Sequence, residues 1–69
     1  MTYRSGFSDF FHEFRGQECI ITFCRRDPGD WWISPLLADG EEGEAFQDLS
    51  QAEDDALAIV IENWRHDQD

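Results

Sequence analysis

The stretch from Ser50 to Trp64 constrains the fold more than any other, because it carries both a helix start signal and a buried stripe. Ser50-Gln51-Ala52-Glu53 has the S-x-x-E form of a capping box. The Ser50 hydroxyl can accept from the Glu53 N–H while the Glu53 carboxylate accepts from the Ser50 N–H. Glu53, Asp54 and Asp55 fall in the first turn, where the helix dipole favours negative charge. Ala56, Leu57, Val60, Ile61 and Trp64 then recur at i, i+1, i+4, i+5 and i+8, an apolar stripe that Ala52 and Ile59 widen. Asp54, Asp55 and Glu62 take the opposite face. Arg65 and His66 suit the C-terminal end of the dipole, and Asp67-Gln68-Asp69 is expected to fray. Such a helix needs an apolar surface to cover, and the rest of the chain must supply it.

Ser5 to Arg15 reads as a first, shorter helix, capped by Ser5 or Ser8. Phe7, Phe10, Phe11 and Phe14 fall at i, i+3, i+4 and i+7, with Asp9, His12, Glu13 and Arg15 on the other side and Gly16 as the stop. The stripe suits a core-facing helix or an anchor that inserts into a partner's groove. Glu18 to Arg26 alternates as a strand with Ile21 and Phe23 inward. Asp27-Pro28-Gly29-Asp30 predicts a type II turn, with Pro at i+1 and Gly at i+2. Trp31 to Ala38 is the next strand, with Trp31, Ile33 and Leu37 on one face and Trp32, Ser34 and Leu36 on the other. Pro35 marks an edge or a bulge. Asp39-Gly40 signals a hairpin into a third strand, Glu42 to Asp48, with Phe46 inward and Gly43 weakening it. The expected order is α-β-β-β-α, a single α+β domain over residues 1–69: a three-stranded antiparallel meander with helices packed on one face.

A chain of 69 residues buries only about 60% of its unfolded surface, which disfavours a large catalytic cleft. At 41% hydrophobic, with three Trp and six Phe, it nevertheless has the means to form a core. Cys19 and Cys24, five apart on a strand, point to opposite faces roughly 16 Å from one another and cannot pair as neighbours there. Two free thiols suit a reducing cytoplasm. No apolar signal region and no membrane-length apolar run is present in the sequence.

Enzyme chemistry finds little footing. His12 and His66, the only histidines, lie on expected helix surfaces and have no i+4 His partner, so H-E-x-x-H zinc binding is absent. The cysteines lack zinc-knuckle spacing. Asp39-Gly-Glu-Glu-Gly-Glu shares the composition of a calcium loop but not the EF-hand frame. The carboxylates Glu41 and Glu42 sit on a turn with nothing to desolvate them. The expectation is a protein with no enzyme activity, no cofactor and no metal.

Charge remains. The sequence has sixteen acids, five Arg and no Lys, a formal net charge of −11. Residues 1–26 sum to +1 and residues 27–69 to −12. Direct binding to nucleic acid or an anionic membrane is disfavoured, and a basic protein partner is favoured. Asp39, Glu41, Glu42, Glu44, Asp48, Glu53, Asp54 and Asp55 place eight carboxylates in seventeen residues with no base among them. Asp55 and Glu62, two turns apart, extend the charge along the exposed helix face. Carboxylates accept bidentate hydrogen bonds from Arg much as phosphate oxygens do. The plain alternative is an acidic face that only aids solubility.

In length, Lys-free acidity, element order and short hairpins the chain resembles the small phage-encoded anti-CRISPR proteins, particularly the acidic ones regarded as DNA mimics. The resemblance implies a stoichiometric inhibitor that occupies the basic DNA-binding channel of a CRISPR effector subunit in the bacterial cytoplasm. The expected binding residues are Asp39, Glu41, Glu42, Glu44, Asp48, Asp54, Asp55 and Glu62, with Trp32 as an aromatic anchor. The rival reading is a structural or assembly module, homodimeric through an apolar sheet or helix face.

Overall fold

A computed structural model describes residues 6–68 of the chain. Strands β1 (Phe7–Phe14), β2 (Gln17–Cys24) and β3 (Trp31–Pro35) form one antiparallel sheet in the order β1-β2-β3, followed by a single helix α1 (Gln51–Gln68). The class is α+β, as expected, but the order is β-β-β-α.

The first helix is not formed, and the reason lies in the phenylalanines. Phe10 and Phe14 are four apart, a spacing that shares a face in a strand as well as in a helix. Phe7 and Phe11 obey the same rule on the opposite face. A helical reading merges the two sets into one stripe; the strand separates them. What decides is the partner: Phe7–Phe14 pairs along its whole length with β2, Phe10 opposite Ile21 and Phe14 opposite Gln17. Arg15 and Gly16 make the two-residue turn, with φ of 53° and 77°. Both central residues of a type I′ hairpin turn need positive φ, and that hand matches the twist of the strands. Gly16 is therefore a hairpin residue rather than a helix stop. Ser8 lies inside β1, and the other expected cap, Ser5, is outside the described residues.

Two further expectations change. Asp30 N–H donates to the Asp27 carbonyl at 2.8 Å, closing the expected turn. Gly29, however, is not among the positive-φ glycines, so the turn is not type II; Asp at i and Pro at i+1 suit type I equally well. The expected third strand, Glu42 to Asp48, is an irregular segment. It runs back along β3 through one bridge, Leu36 with Glu42, and two spaced bonds, Gly43 N–H to Pro35 O (2.8 Å) and Phe46 N–H to Ile33 O (2.9 Å). Proline ends β3 and cannot donate to a ladder. At Gly43 an added Cβ would meet Pro35 Cγ at 3.0 Å and Leu37 Cδ2 at 3.1 Å, so a side chain at the crossing would require those two side chains to give by a few tenths of an ångström. The Asp39-Gly40 hairpin does form, with Leu37 N–H bonded to Glu41 O and Gly40 at φ 86°, the pattern of a three-residue loop ending in a left-handed glycine.

The core joins the sheet to the helix. Cys19, Ile21 and Phe23 of β2, Ile33 of β3, and Leu57 and Ile61 of α1 form one buried cluster. Ile21 and Phe23 point inward as expected. Phe10, Phe14, Trp31, Phe46, Leu49, Val60 and Trp64 close around the cluster. Trp64 stacks on Phe10 with ring centroids 4.9 Å apart and 8° between planes, and meets Phe23 edge-on at 5.7 Å. Burying each large apolar side chain stabilises by roughly 1.5–3 kcal/mol, so these few carry most of the fold. The helix starts as its capping box predicts: Glu53 N–H donates to Ser50 Oγ (3.1 Å) and Ser50 N–H to Glu53 Oε1 (2.9 Å). Its stripe is narrower than expected, because Ala52, Ala56 and Ile59 are exposed, Ile59 at 61%.

Directly paired residues in an antiparallel sheet share a face. The side opposite the core therefore carries Phe7, Asp9, Phe11 and Glu13 of β1, Glu18, Ile20, Thr22 and Cys24 of β2, and Trp32 and Ser34 of β3.

Candidate functional site: the acidic loop and helix

The eight acids of residues 39–55 do not form one uniform surface. Asp39 is spent on the hairpin, where its Oδ1 accepts from the Glu41 N–H at 3.0 Å, the local bond that makes Asp a turn residue. Glu42 sits at the bridge to Leu36 and is half-buried. The expected spacing of Glu42 and Glu44 along one strand face does not apply, since no strand forms there.

Asp48 and Glu53 have a structural partner that sequence reasoning missed. Arg15, in the β1–β2 turn, reaches across to the start of α1. Its Nε and Nη2 donate to Glu53 Oε2 and Oε1 at 2.9 and 2.8 Å, a bidentate pair, and Nη1 lies 3.4 Å from both Asp48 carboxylate oxygens. The guanidinium also lies over Phe14 and Phe46, 5.1 and 5.2 Å from the ring centroids. A planar cation suits both contacts, the fork to a carboxylate and the flat face to an aromatic ring. The Arg15 bond, reinforced by the Ser50 N–H, holds the Glu53 carboxyl down at about 2, and the same two carboxylates push the Arg15 pKa further up. Asp48 is therefore part of a clamp between hairpin and helix. The acidic run contains no base in sequence, but the fold brings one to it. The signal was available in principle: Arg-Gly is a two-residue link ending in glycine between two runs rich in strand-forming aromatic and β-branched residues, though not the usual Asn-Gly.

Farther along the helix, Asp55 accepts from Gln51 at 2.9 Å and Glu62 from Arg65 at 2.7 Å. Both bonds are local to the exposed helix surface. Ile59 lies four residues after Asp55 and three before Glu62, so the outer face of α1 presents an exposed apolar side chain between two carboxylates. Among the described residues, the side chains of Glu41, Glu44 and Asp54 are exposed and have no hydrogen bond or ion pair.

Trp32 does not join this surface. It lies on the sheet face away from the helix, half-buried, with its ring 5.6 Å from Phe7. Trp31 is half-buried against the core. Trp32 and the outer face of α1 are on opposite sides of the sheet, so they do not form one surface.

His12 is also displaced from its expected place on a helix surface. It stands on β1 opposite Cys19, on the core side. The pair is not an activated nucleophile. Cys19 is fully buried, its sulfur lies 3.5 Å from the Gln17 carbonyl, and burial pushes its thiol pKa up. His66 is exposed on α1. Among the described residues, no group of three or more His, Cys, Asp or Glu is placed to hold a metal ion, and no helix is long and apolar enough to cross a membrane. No protein-family model, curated protein or solved structure matches the chain.

Proposed function

We propose that this protein is a non-enzymatic inhibitor that binds a basic, DNA-binding surface of a partner protein, its carboxylates standing in for phosphates. The observation that carries the reading is the state of Glu41, Glu44 and Asp54: exposed, and without a side-chain partner among the described residues. Unneutralised acids on a chain of net charge −11 repel one another and weaken the compact state. A basic partner relieves that repulsion. Ile59, exposed between Asp55 and Glu62 on α1, adds an apolar contact inside the charged surface. The partner class proposed is the basic DNA channel of a CRISPR effector subunit, with the bacterial cytoplasm as the place of action. Of the features behind that resemblance, small size, Lys-free acidity and short hairpins stand, while the element order is β-β-β-α.

The test leaves the Arg15 clamp intact, so Asp48 and Glu53 are not touched. Glu41, Glu44, Asp54 and Glu62 are changed together to Lys, and binding to candidate effector subunits is measured by calorimetry at low and high salt, with circular dichroism as the folding control. Wild-type binding should weaken steeply with salt, and the folded reversal should not bind. Full affinity in the folded quadruple variant overturns mimicry through these acids.

A further inference from the structure

Among the described residues, the outer edge of β1 is an open row of backbone donors and acceptors. Arg25 N–H donates to Gly6 O at 2.8 Å, which makes Gly6 and Arg25 a hydrogen-bonded pair. In an antiparallel ladder such pairs recur every second residue. Ser8, Phe10, His12 and Phe14 therefore turn their backbone groups to β2, and Phe7, Asp9, Phe11 and Glu13 turn theirs outward. The Phe7 carbonyl is taken by Arg25 Nη1 at 2.9 Å, which closes one end of the row. Among the described residues, nothing pairs with the outward N–H and C=O groups of Asp9, Phe11 and Glu13. Strand edges are commonly protected by Pro, a bulge or charged side chains, Lys above all. The segment Asp9–Glu13 has no Pro, Lys or bulge, and its two charges, Asp9 and Glu13, are both acidic, which repels an acidic strand but not a basic one.

The side chains of the same three residues share the sheet face away from the core, and all three are exposed, Phe11 at 64%. Asp9 and Glu13 flank Phe11 at i−2 and i+2. Beside Phe11 lies a shallow depression of about 250 Å³ lined by Asp9, Phe10, Phe11 and Ile20. The row thus reads acid, apolar, acid, with an apolar hollow at its centre.

We infer that β1 accepts a fourth, antiparallel strand from a basic partner, in which Lys or Arg alternates with an apolar residue as basic-x-apolar-x-basic. In that register the two cations stand opposite Asp9 and Glu13 and the apolar side chain enters the hollow beside Phe11. Directly opposed residues of opposite charge favour the pairing, and the main-chain bonds supply sequence-tolerant affinity. Charge argues against a second copy of this chain. A symmetric pairing centred on Phe11 sets Asp9 against Glu13 of the copy, twice. One centred on Phe10 sets Glu13 against Phe7 and Asp9 against Phe11. Both also join two chains of net charge −11. This edge is separate from the acids of residues 39–62, so strand addition at β1 does not depend on whether those acids bind a partner.

The probe is the peptide Thr-Lys-Thr-Val-Thr-Lys-Thr, titrated into the 15N-labelled full chain. The amide protons of Asp9, Phe11 and Glu13 should shift together and exchange more slowly, while those of Phe10 and His12, already bonded to β2, change little. A peptide N-methylated on its pairing edge, equal in charge, should not produce that protection. Asp9→Lys with Glu13→Lys should weaken the wild-type peptide by about tenfold or more. The quadruple reversal at Glu41, Glu44, Asp54 and Glu62 should leave the site-specific protection in place. Equal binding by the N-methylated peptide would show charge attraction without strand addition and reject the proposal. Protection of the three amides that rises with protein concentration alone would assign the edge to a second copy and reject it too, as would no response at millimolar peptide.

Discussion

Arg15 is the residue on which the most structure turns. It sits at φ 53°, a region that glycine enters freely and that L residues other than Asn and Asp enter at a cost. The cost is offset by what the side chain reaches from there: the fork to Glu53, the Asp48 carboxylate, and the two phenylalanine faces. Arg15→Asn separates the two effects, because Asn-Gly is the better type I′ turn. A stability set by the turn alone would rise; loss of the clamp should instead lower the melting temperature in thermal unfolding. The same variant should move the Glu53 carboxyl from about 2 back towards its ordinary 4.5, read by NMR titration. The wild type then has a defined acid response. Glu53 is depressed in the folded state, so its contribution is fully present above the ordinary carboxylate range. It is lost as pH falls from about 4.5 towards 2. Arg15→Asn should flatten that part of the stability–pH curve. An unchanged curve would show that the Arg15–Glu53 pair does not couple to folding.

At the scale of elements, legibility followed the number of independent signals each stretch carried. Helix α1 had a capping box, first-turn acids and a stripe; the capping box forms, and the stripe holds at Leu57, Val60, Ile61 and Trp64 but not at Ala52, Ala56 and Ile59. Strand β2 was legible because Cys19, Ile21 and Phe23 alternate with Ile20, Thr22 and Cys24, a pattern no helix face accommodates. β1 was misread because four phenylalanines at i, i+3, i+4 and i+7 satisfy the helical period, and pairing with β2, a long-range fact, is what overrules it. The segment after Gly40 was legible as a return along β3 but not as an irregular one, since the crowding at Gly43 depends on Pro35 and Leu37. The phase of α1 has a direct check. Leu57 is 2% exposed and Ile59 61%. Leu57→Ala should destabilise by about 2–4 kcal/mol through lost burial and a cavity, while Ile59→Ala should stay within roughly 0.5 kcal/mol. Urea unfolding followed by tryptophan fluorescence measures both. Similar losses at the two positions would mean that α1 is rotated about its axis, away from the phase that buries Leu57 and exposes Ile59. If Ile59 serves as an apolar contact for a partner, its truncation should weaken binding while sparing the fold.

At the scale of the whole molecule, charge and size set the behaviour together. The principal extents are 35, 30 and 20 Å. At 0.01 M ionic strength the Debye length is about 30 Å, so nearly every charge acts on every other; at 1 M it is about 3 Å, and only contact pairs survive. With sixteen acids against five Arg, repulsion dominates the long-range sum, while close attraction among the described residues includes the Arg15 and Arg65 contacts. Raising NaCl from 0.01 M to 1 M should therefore stabilise the fold, because it removes more repulsion than attraction. The four substitutions to Lys, at Glu41, Glu44, Asp54 and Glu62, bring the net charge closer to zero and should reduce that salt-dependent gain. Binding to a basic partner should move the opposite way, weakening over the same range, because salt screens the attraction that draws the two surfaces together. Thermal unfolding across the salt series, run beside calorimetry with the partner, reads both slopes. Opposite signs are what stored repulsion relieved by a partner requires. A wild-type melting temperature that falls with salt would mean that the clamp and its few ion pairs outweigh the acids, and the charge of residues 27–69 would then need no partner to relieve it.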